Sequence, residues 1–193
     1  MEFARAHGYP VPEVFDVQDG GRDLILQRID GPNMVEAAAA RPWKLGRMGR
    51  QLAELHLSLH ELQAPEWVRP AAFGRGDRLL HMDLHPLNVL LGADGPMVID
   101  WSNALCGEPS IDAALTWVLL ATGEAPAGRV ISAVVGLGRR VLLRGFLQSF
   151  RLEDLRAVIG EVVDWKCGDA NMSADEVARM KRLKAANGLG QAN

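Results

Sequence analysis

Cysteine is scarce in this sequence, with only Cys106 and Cys167 among 193 residues, and their spacing matches no metal-binding pattern. This scarcity excludes a disulfide-stapled secreted scaffold and predicts two free thiols in a reducing compartment. Long apolar runs are also lacking: the first residues contain no signal core, and the most apolar stretch, residues 113–121, is too short to cross a bilayer. We therefore expect a soluble, cytoplasmic protein with no membrane partner.

An excess of positive charge is lacking as well. The 21 basic residues are outnumbered by 24 acidic ones, so the net charge is −3 and gives no electrostatic reason to expect binding to nucleic acid. Hydrophobic residues make up 48% of the chain, which is enough for a real core. A length of 193 residues fits one domain or two small lobes.

The sequence also lacks the glycine-rich loops that bind nucleotide phosphates. Neither G-x-G-x-x-G nor G-x-x-x-x-G-K-[ST] occurs in the sequence, and no lysine precedes Lys44. The two common motifs whose backbone N–H groups bind nucleotide phosphates are therefore missing from this sequence.

What the sequence does contain is a cluster of polar residues around a predicted β-hairpin, within His81–Trp101. Residues 89–91 and 97–99 form short apolar strands, and Ala93-Asp94-Gly95-Pro96 forms the turn. Pairing of these strands brings Asn88, just before the first, close to Asp100, just after the second. An amide oxygen and a carboxylate are hard donors of the kind that Mg²⁺ takes, and Asp83 lies on the loop that leads into the hairpin.

The pattern H-x-D-x-x-x-x-N followed by a strand-borne Asp matches the phosphoryl-transfer template. With Gly107-Glu108-Pro109 and Asp112 downstream, the chain resembles the aminoglycoside phosphotransferase and choline kinase branch of the protein-kinase-like fold. The resemblance implies an α+β architecture: a remnant small lobe with about two antiparallel strands (residues 1–31), and a mainly helical large lobe that contains the catalytic hairpin (residues 32–193).

The same resemblance implies an activity and a set of site residues. The expected reaction transfers the γ-phosphoryl group of ATP or GTP to a hydroxyl of a small molecule, with Mg²⁺ bound. Asp83 is the expected catalytic base, and Asn88 and Asp100 are the expected metal ligands. Around Asp30-Gly31-Pro32, the expected hinge between the lobes, the carbonyl of Gln27 and the N–H of Ile29 are the candidates for contacting the adenine ring.

Four further residues are expected near the site. His81 is expected to support the loop. His85 has either a phosphate or substrate contact or a purely structural role. His56 is expected to support the catalytic loop from behind, near Asp112.

The sequence departs from the family pattern in two places. The glycine-rich loop and the strand lysine of a kinase small lobe are absent, so we expect that the printed chain begins inside that lobe, or that the clamp on ATP has been lost. Arg5, Arg22 or Arg28 could supply charge in its place. Met82 stands where many relatives have glycine, which predicts a restricted loop backbone.

These departures keep two other functions open. The first is a catalytically impaired pseudokinase, or a truncated remnant that binds a nucleotide or another ligand. The second is a metallohydrolase, because His81, Asp83 and His85 alternate and would face one side of an extended strand. A related possibility is a metal shared by His56 and His60, which are four residues apart on a predicted helix.

Periodicity and capping signals predict the remaining elements. The predicted strands outside the hairpin are 14–17, 24–29 and 78–80. The predicted helices are 34–40, 44–63, 111–121, 128–150, 152–165 and one that starts at the Ser173–Glu176 capping box and ends at Asn187-Gly188.

Overall fold

The computed structural model describes residues 1–123, 129–170 and 172–188, and α-helices dominate these ranges. The helices are α1 (Glu2–Ala6), α2 (Met34–Ala40), α3 (Leu45–His60), α4 (Pro109–Thr122), α5 (Arg129–Leu147), α6 (Leu152–Cys167) and α7 (Ala174–Gly188). Each of the predicted helices is present, with ends displaced by up to three residues. The predicted start of α5 at Gly128 lies outside the described residues.

The strands pair only as short antiparallel two-stranded sheets in the part of the chain described. They are β1 (Val14–Gln18) with β2 (Asp23–Leu26), β3 (Arg78–Leu80) with β6 (Leu105–Gly107), and β4 (Val89–Gly92) with β5 (Gly95–Val98). This combination of many helices and few short strands is the α+β architecture expected from the sequence.

Helix α3 forms the centre of the core because its apolar residues recur at steps of three and four. Met48, Leu52, Leu55 and Leu59 are all buried, as this spacing predicts for one helix face. Helix α4 is buried on nearly every side, so its sequence carries little amphipathic signal. These two helices form the support on which the β3–β6 and β4–β5 regions rest.

Glycines allow helices α3 and α5 to pack at close range. A Cβ atom at Gly49 would overlap the backbone carbonyl of Leu142, and one at Gly145 would overlap the carbonyl of Gly46. The two helix backbones therefore approach more closely than any side chain at these positions would allow.

The predicted hairpin is confirmed, with a shorter turn than expected. Val89 pairs with Val98, and the register continues to Gly92 opposite Gly95, so only residues 93–94 form the tip. Gly95 adopts a φ of 118°, which glycine tolerates without strain.

Segments from the first part of the chain border both edges of this hairpin. The N–H of Val98 donates to the carbonyl of Pro10 (2.8 Å), and the N–H of Leu91 donates to the carbonyl of Pro32 (2.9 Å). Gly31 lies directly against the carbonyl of Leu91. The segment expected to be a hinge therefore runs along strand β4.

Two features of the strands differ from the sequence expectation. Strand β2 ends at Leu26 rather than at residue 29, because the chain beyond Gln27 turns to follow the hairpin. Strand β6 was not predicted, since three residues are too few to establish an alternating pattern. Within the described ranges, no helix has the length and apolar character needed to cross a membrane.

Candidate functional site

The loop that follows strand β3 is held by a carboxylate from helix α4. The N–H of His81 donates to Oδ2 of Asp112 (3.0 Å), and the N–H of Met82 donates to Oδ1 (2.8 Å). Met82 is buried and adopts a φ of 62°, in the left-handed region that favours glycine. This conformation turns the chain sharply, and Asp83 follows directly after the turn.

A buried histidine of helix α3 completes the contacts of Asp112. Nε2 of His60 donates to Oδ2 of Asp112 at 3.0 Å. Burial acts to raise the pKa of Asp112, but the His60 hydrogen bond and the neighbouring histidines outweigh it and hold that pKa below its usual range. Asp112 is therefore an ionised, fully buried carboxylate that joins helix α3 to the loop.

His56 reaches the same loop through Thr116 rather than through Asp112. Nε2 of His56 lies 2.9 Å from Oγ1 of Thr116, and the Thr116 hydroxyl donates to the carbonyl of Leu84 (2.7 Å). Nδ1 of His56 lies 2.9 Å from the carbonyl of Leu52. Protonation would let both ring nitrogens donate, but burial opposes the charge and lowers the pKa of His56 to about 4.

His81 points away from the solvent and supports the second half of the hairpin. Its Nε2 donates to the carbonyl of Ile99 (3.0 Å), and its ring packs on Trp101 with the ring centroids 4.8 Å apart. Burial lowers the pKa of His81, so the ring is neutral near pH 7. The position fits the supporting role expected for this residue.

Asp83, His85 and Asn88 form a connected group at the mouth of the loop. Nδ2 of Asn88 donates to the backbone carbonyl of Asp83 (2.9 Å) and lies 3.4 Å from its Oδ2. Oδ1 of Asp83 lies 3.7 Å from Nε2 of His85, and Nδ1 of His85 accepts from the N–H of Leu87 (3.3 Å). Asp83 is thus fixed by Asn88 from one side and faces His85 on the other.

Asp100 lies beside this group because of the hairpin register. The N–H of Ile99 donates to the backbone carbonyl of Asn88 (3.0 Å), so the residue after Ile99 is next to Asn88 at the open end of the hairpin. Asp100 is exposed and has a φ of 60°. Its Oδ1 accepts from the Ser102 hydroxyl (2.7 Å).

The donor chemistry at this end of the hairpin fits a hard divalent cation. Because Nδ2 of Asn88 is bound to Asp83, its Oδ1 is available, and Oδ2 of Asp100 has no hydrogen bond among the described residues. Two such oxygens, with substrate phosphates and water, make a typical Mg²⁺ environment. No group of three His, Cys, Asp or Glu side chains suited to a metal occurs in the described ranges.

The two backbone groups expected to contact an adenine ring, the carbonyl of Gln27 and the N–H of Ile29, form no hydrogen bond among the described residues. The N–H of Gln27 donates to Glu13 (2.7 Å) and its side chain accepts from the same residue, but its carbonyl has no partner among the residues described. The N–H of Ile29 is likewise without a hydrogen bond there, and the Ile29 side chain packs over Gly92.

The histidine pair on helix α3 is divided between two partners instead of sharing one site. The rings of His56 and His60 are 5.8 Å apart between centroids, with Thr116 bonded to the first and Asp112 to the second. Sequence reasoning missed His60 and Thr116 as supports of the loop. The spacing of four did place both histidines on one helix face, which was the available signal.

The strand that a metallohydrolase reading requires is not formed. Strand β3 ends at Leu80, and the backbone at Met82 is left-handed, so residues 81–85 do not alternate along an extended chain. The His81 ring bonds Ile99 while Asp83 and His85 face each other, so the three side chains do not converge.

Comparisons with known proteins agree with the motif. Residues 72–142 match the sequence model of the Phosphotransferase enzyme family (APH). No curated protein sequence gives a significant match to the chain.

Two solved structures are similar over almost the whole chain. The amicoumacin kinase hAmiN, solved in complex with AMP-PNP, Ca²⁺ and Ami, is 15% identical with a TM-score of 0.50, and the match covers 98% of this chain and 75% of that one. A choline/ethanolamine kinase family protein from Mesorhizobium loti is 17% identical with a TM-score of 0.51, covering 98% and 76%. At these identities the likeness shows the fold alone.

Proposed function

We propose, on the premise that this chain has the protein-kinase-like fold and carries a segment that matches the Phosphotransferase enzyme family, that it transfers the γ-phosphoryl group of a nucleoside triphosphate to a hydroxyl of a small molecule. The acceptor in this reaction is a small molecule that carries a hydroxyl group. Choline-like, aminoglycoside-like, sugar and amino-acid acceptors all belong to this class.

One observation carries the proposal: the register of the β4–β5 hairpin. The bond from the N–H of Ile99 to the carbonyl of Asn88 puts an amide and a carboxylate side by side, and the amide is itself bound to Asp83. The proposed metal ligands and the proposed base are therefore neighbours in the backbone at one end of one hairpin. This is the arrangement that phosphoryl transfer uses, since its catalysis consists mainly of positioning and charge stabilisation.

In this proposal, Asp83 accepts the proton of the attacking hydroxyl. Its carboxylate lies 3.7 Å from His85, and its side chain is only about one-fifth exposed, at 19%. Asn88 holds it from the opposite side, so the carboxylate has a defined direction toward the acceptor. Asn88 and Asp100 would hold Mg²⁺, which when bound offsets charge on the phosphates.

The hinge residues supply the expected contacts to the nucleotide base. The unpaired carbonyl of Gln27 and N–H of Ile29 offer one acceptor and one donor along the segment that borders strand β4. In this proposal, residues 1–31 are a remnant small lobe and residues 32–193 a large lobe, and this segment is the boundary between them.

The test combines titration calorimetry with Mg-ATP and an assay of phosphoryl transfer to a panel of alcohols. Asp83→Asn should keep nucleotide binding and lower the transfer rate by about 10²–10⁴-fold, because it removes only the base. Asp100→Asn should weaken Mg-dependent nucleotide binding as well as transfer. Asp94→Asn is the matched control, because it removes a carboxylate from the exposed tip of the same hairpin.

Equal behaviour of the three variants would refute the proposed roles, and so would the absence of nucleotide binding by the wild type at millimolar Mg-ATP. Replacement of Mg²⁺ by EDTA should abolish the difference between the wild type and Asp100→Asn, since that residue then has no cation to hold.

A second candidate is a protein that binds nucleotide without transferring phosphate. The observation that favours it is the scarcity of free cations ahead of the hinge: no lysine precedes Lys44, Arg5 pairs with Glu13 (3.1 Å) and Arg28 pairs with Asp30 (2.8 Å), which leaves Arg22 as the one arginine there without an ion pair among the described residues. Mg-dependent nucleotide binding without transfer to any alcohol, unchanged by Asp83→Asn, would identify this second function.

A further inference from the structure

A groove of about 300 Å³ lies at the closed end of the hairpin, opposite to the end that carries Asn88 and Asp100. Helix α2, the start of helix α3 and the hairpin tip form its walls. We call it the basic groove, and its lining is Ala37, Arg41, Lys44, Arg47, Met48, Gln51, Leu91, Gly92, Gly95 and Pro96.

The charged residues of the basic groove all have the same sign. Arg41, Lys44 and Arg47 line it, and among the described residues none of them has a carboxylate within ion-pair distance. Elsewhere in the described chain, several arginines do have such a carboxylate, as in the pairs of Arg5, Arg28, Arg78 and Arg151. The basic groove therefore holds three positive charges that the protein itself leaves uncompensated.

The acidic side chains nearest along the chain lie outside the lining of the basic groove. Glu36 accepts the backbone N–H of Asn33 in the capping box of helix α2 (3.0 Å). Glu54 lines an adjoining hollow that shares Arg47 and Gln51 with the basic groove, but it forms no ion pair with Arg47. Asp94 is exposed at the hairpin tip and is not part of the lining.

The position of these cations reinforces the positive potential. Lys44 is the N-cap of helix α3, and the first turn of that helix contains no acidic residue. Positive side chains at the positive end of a helix dipole do not stabilise the helix. Ala37, Met48 and Pro96 add an apolar part to the lining, while Arg41 and Arg47 are exposed to solvent.

We propose that the basic groove binds a small multivalent anion that carries phosphate or carboxylate groups. The guanidinium groups of Arg41 and Arg47 can each offer two parallel N–H donors to such a group, and Lys44 adds a further positive charge to the lining. Hairpin residues Gly92 and Gly95 form the facing wall. This site is separate from the proposed phosphoryl-transfer site and does not depend on that function being correct.

The test uses the full chain, inorganic pyrophosphate and citrate as probes, low ionic strength, and buffer passed over a chelating resin to remove divalent cations. Saturable pyrophosphate binding is expected by calorimetry, with backbone amide shifts at Leu91, Gly92 and Gly95. The triple variant Arg41→Gln, Lys44→Gln, Arg47→Gln should weaken binding by about tenfold or more. The control triple variant Arg156→Gln, Lys181→Gln, Arg182→Gln removes the same charge from exposed positions on helices α6 and α7, and should bind as the wild type does.

Pyrophosphate binding stronger than citrate binding would support the site and assign it to phosphorylated ligands; the reverse order would support it and assign it to carboxylates. Equal loss in the two triple variants would overturn the proposal, as would no saturable binding at millimolar probe. Asp100→Asn in the same metal-free buffer should leave binding unchanged; tighter binding there would overturn the proposal, because loss of that carboxylate helps an anion only at the other end of the hairpin. If the triple variant loses its fold by circular dichroism, the single reversal Arg47→Glu gives the same comparison against Arg182→Glu.

Discussion

The carboxylate of Asp112 accepts a 2.8 Å hydrogen bond from the backbone N–H of Met82, a residue 30 positions earlier in the chain. The bond joins the first turn of helix α4 to the loop that carries Asp83. Its second oxygen holds His81 and His60. One buried side chain therefore determines the path of the loop backbone just before the candidate base.

Asp112→Asn should destabilise the fold by about 2–4 kcal/mol, because an amide NH₂ group would face a backbone N–H donor in a buried position. Urea denaturation followed by circular dichroism measures the loss. Asp94→Asn, at the exposed hairpin tip, should change the free energy of unfolding by less than about 0.5 kcal/mol. A loss below about 1 kcal/mol in Asp112→Asn would contradict the role given to this carboxylate.

At Met82, we expect substitution by glycine to be less destabilising than substitution by alanine. Both Met82→Gly and Met82→Ala should destabilise the protein, since the side chain is 1% exposed and packs in the core. The glycine variant should nevertheless be more stable than the alanine variant by about 1 kcal/mol, because φ is positive at this position.

The same pair of substitutions at Met48 is the control. Met48 is buried within helix α3, where alanine should be more stable than glycine by about 1 kcal/mol. The order of the two variants should therefore reverse between the two sites in thermal or urea unfolding. The same order at both sites would mean that the loop changes conformation when Met82 is removed.

His56 should make stability depend on pH below neutrality. Its pKa in the folded protein is about 4, lowered by burial from 6.5, so the unfolded chain binds more protons between these values. The resulting stabilisation is fully present above pH 6.5 and is lost as pH falls toward 4, by up to about 3 kcal/mol. Loss of the Asp112 contribution follows only at lower pH, because the pKa of Asp112 is held below its usual value.

Urea midpoints measured from pH 7 to pH 4 test this dependence. His56→Gln cannot titrate, so its decline over this interval should be shallower than that of the wild type, although its stability at pH 7 should be lower. His81, whose pKa burial also lowers, should account for part of the remaining slope. A wild-type stability that is constant between pH 6.5 and pH 4 would contradict a neutral buried His56.

The close contact of helices α3 and α5 predicts opposite effects of alanine at two glycines of one helix. Gly145→Ala should destabilise by about 1–3 kcal/mol, because the new Cβ would overlap the carbonyl of Gly46. Gly136→Ala should instead stabilise by about 0.5–1 kcal/mol, since no atom lies within 4 Å of its Cβ position and glycine is a poor helix former. Calorimetric unfolding of the two variants measures whether each change in stability is positive or negative. A stabilised Gly145→Ala would show that helices α3 and α5 can move apart without a loss of stability.

Local pattern was sufficient to predict most of the fold. The spacing of leucines in helix α3 and the turn signal around Asp94 and Gly95 each depend on residues close together in sequence. Strand β6 has no such signal, because Leu105–Gly107 forms a strand only through pairing with the distant Arg78–Leu80. Similarly, the end of strand β2 depends on the hairpin that the chain beyond it follows.

In the candidate site, too, some features follow from local sequence and others depend on how distant helices pack. The closeness of Asn88 and Asp100 in the backbone could be predicted because they flank one hairpin, and the hairpin register relates them directly. The choice between His56 and His60 as the partner of Asp112 could not be predicted, since both lie on one face of helix α3 and their order along it is decided by how α3 crosses α4. Met82 has a side chain that disfavours a positive φ, yet it adopts a φ of 62° where its N–H donates to Asp112. The sequence gives no local signal for this conformation.

The two edges of the β4–β5 hairpin are each closed by the carbonyl of a proline, Pro10 beside Val98 and Pro32 beside Leu91. Proline can accept the bond but has no N–H to return, and the pairing beside strand β4 amounts to one isolated antiparallel bridge, between Asn33 and Leu90. A foreign β-strand would therefore have to displace a segment of the chain itself before it could extend this hairpin, which lowers the tendency of the hairpin edges to aggregate.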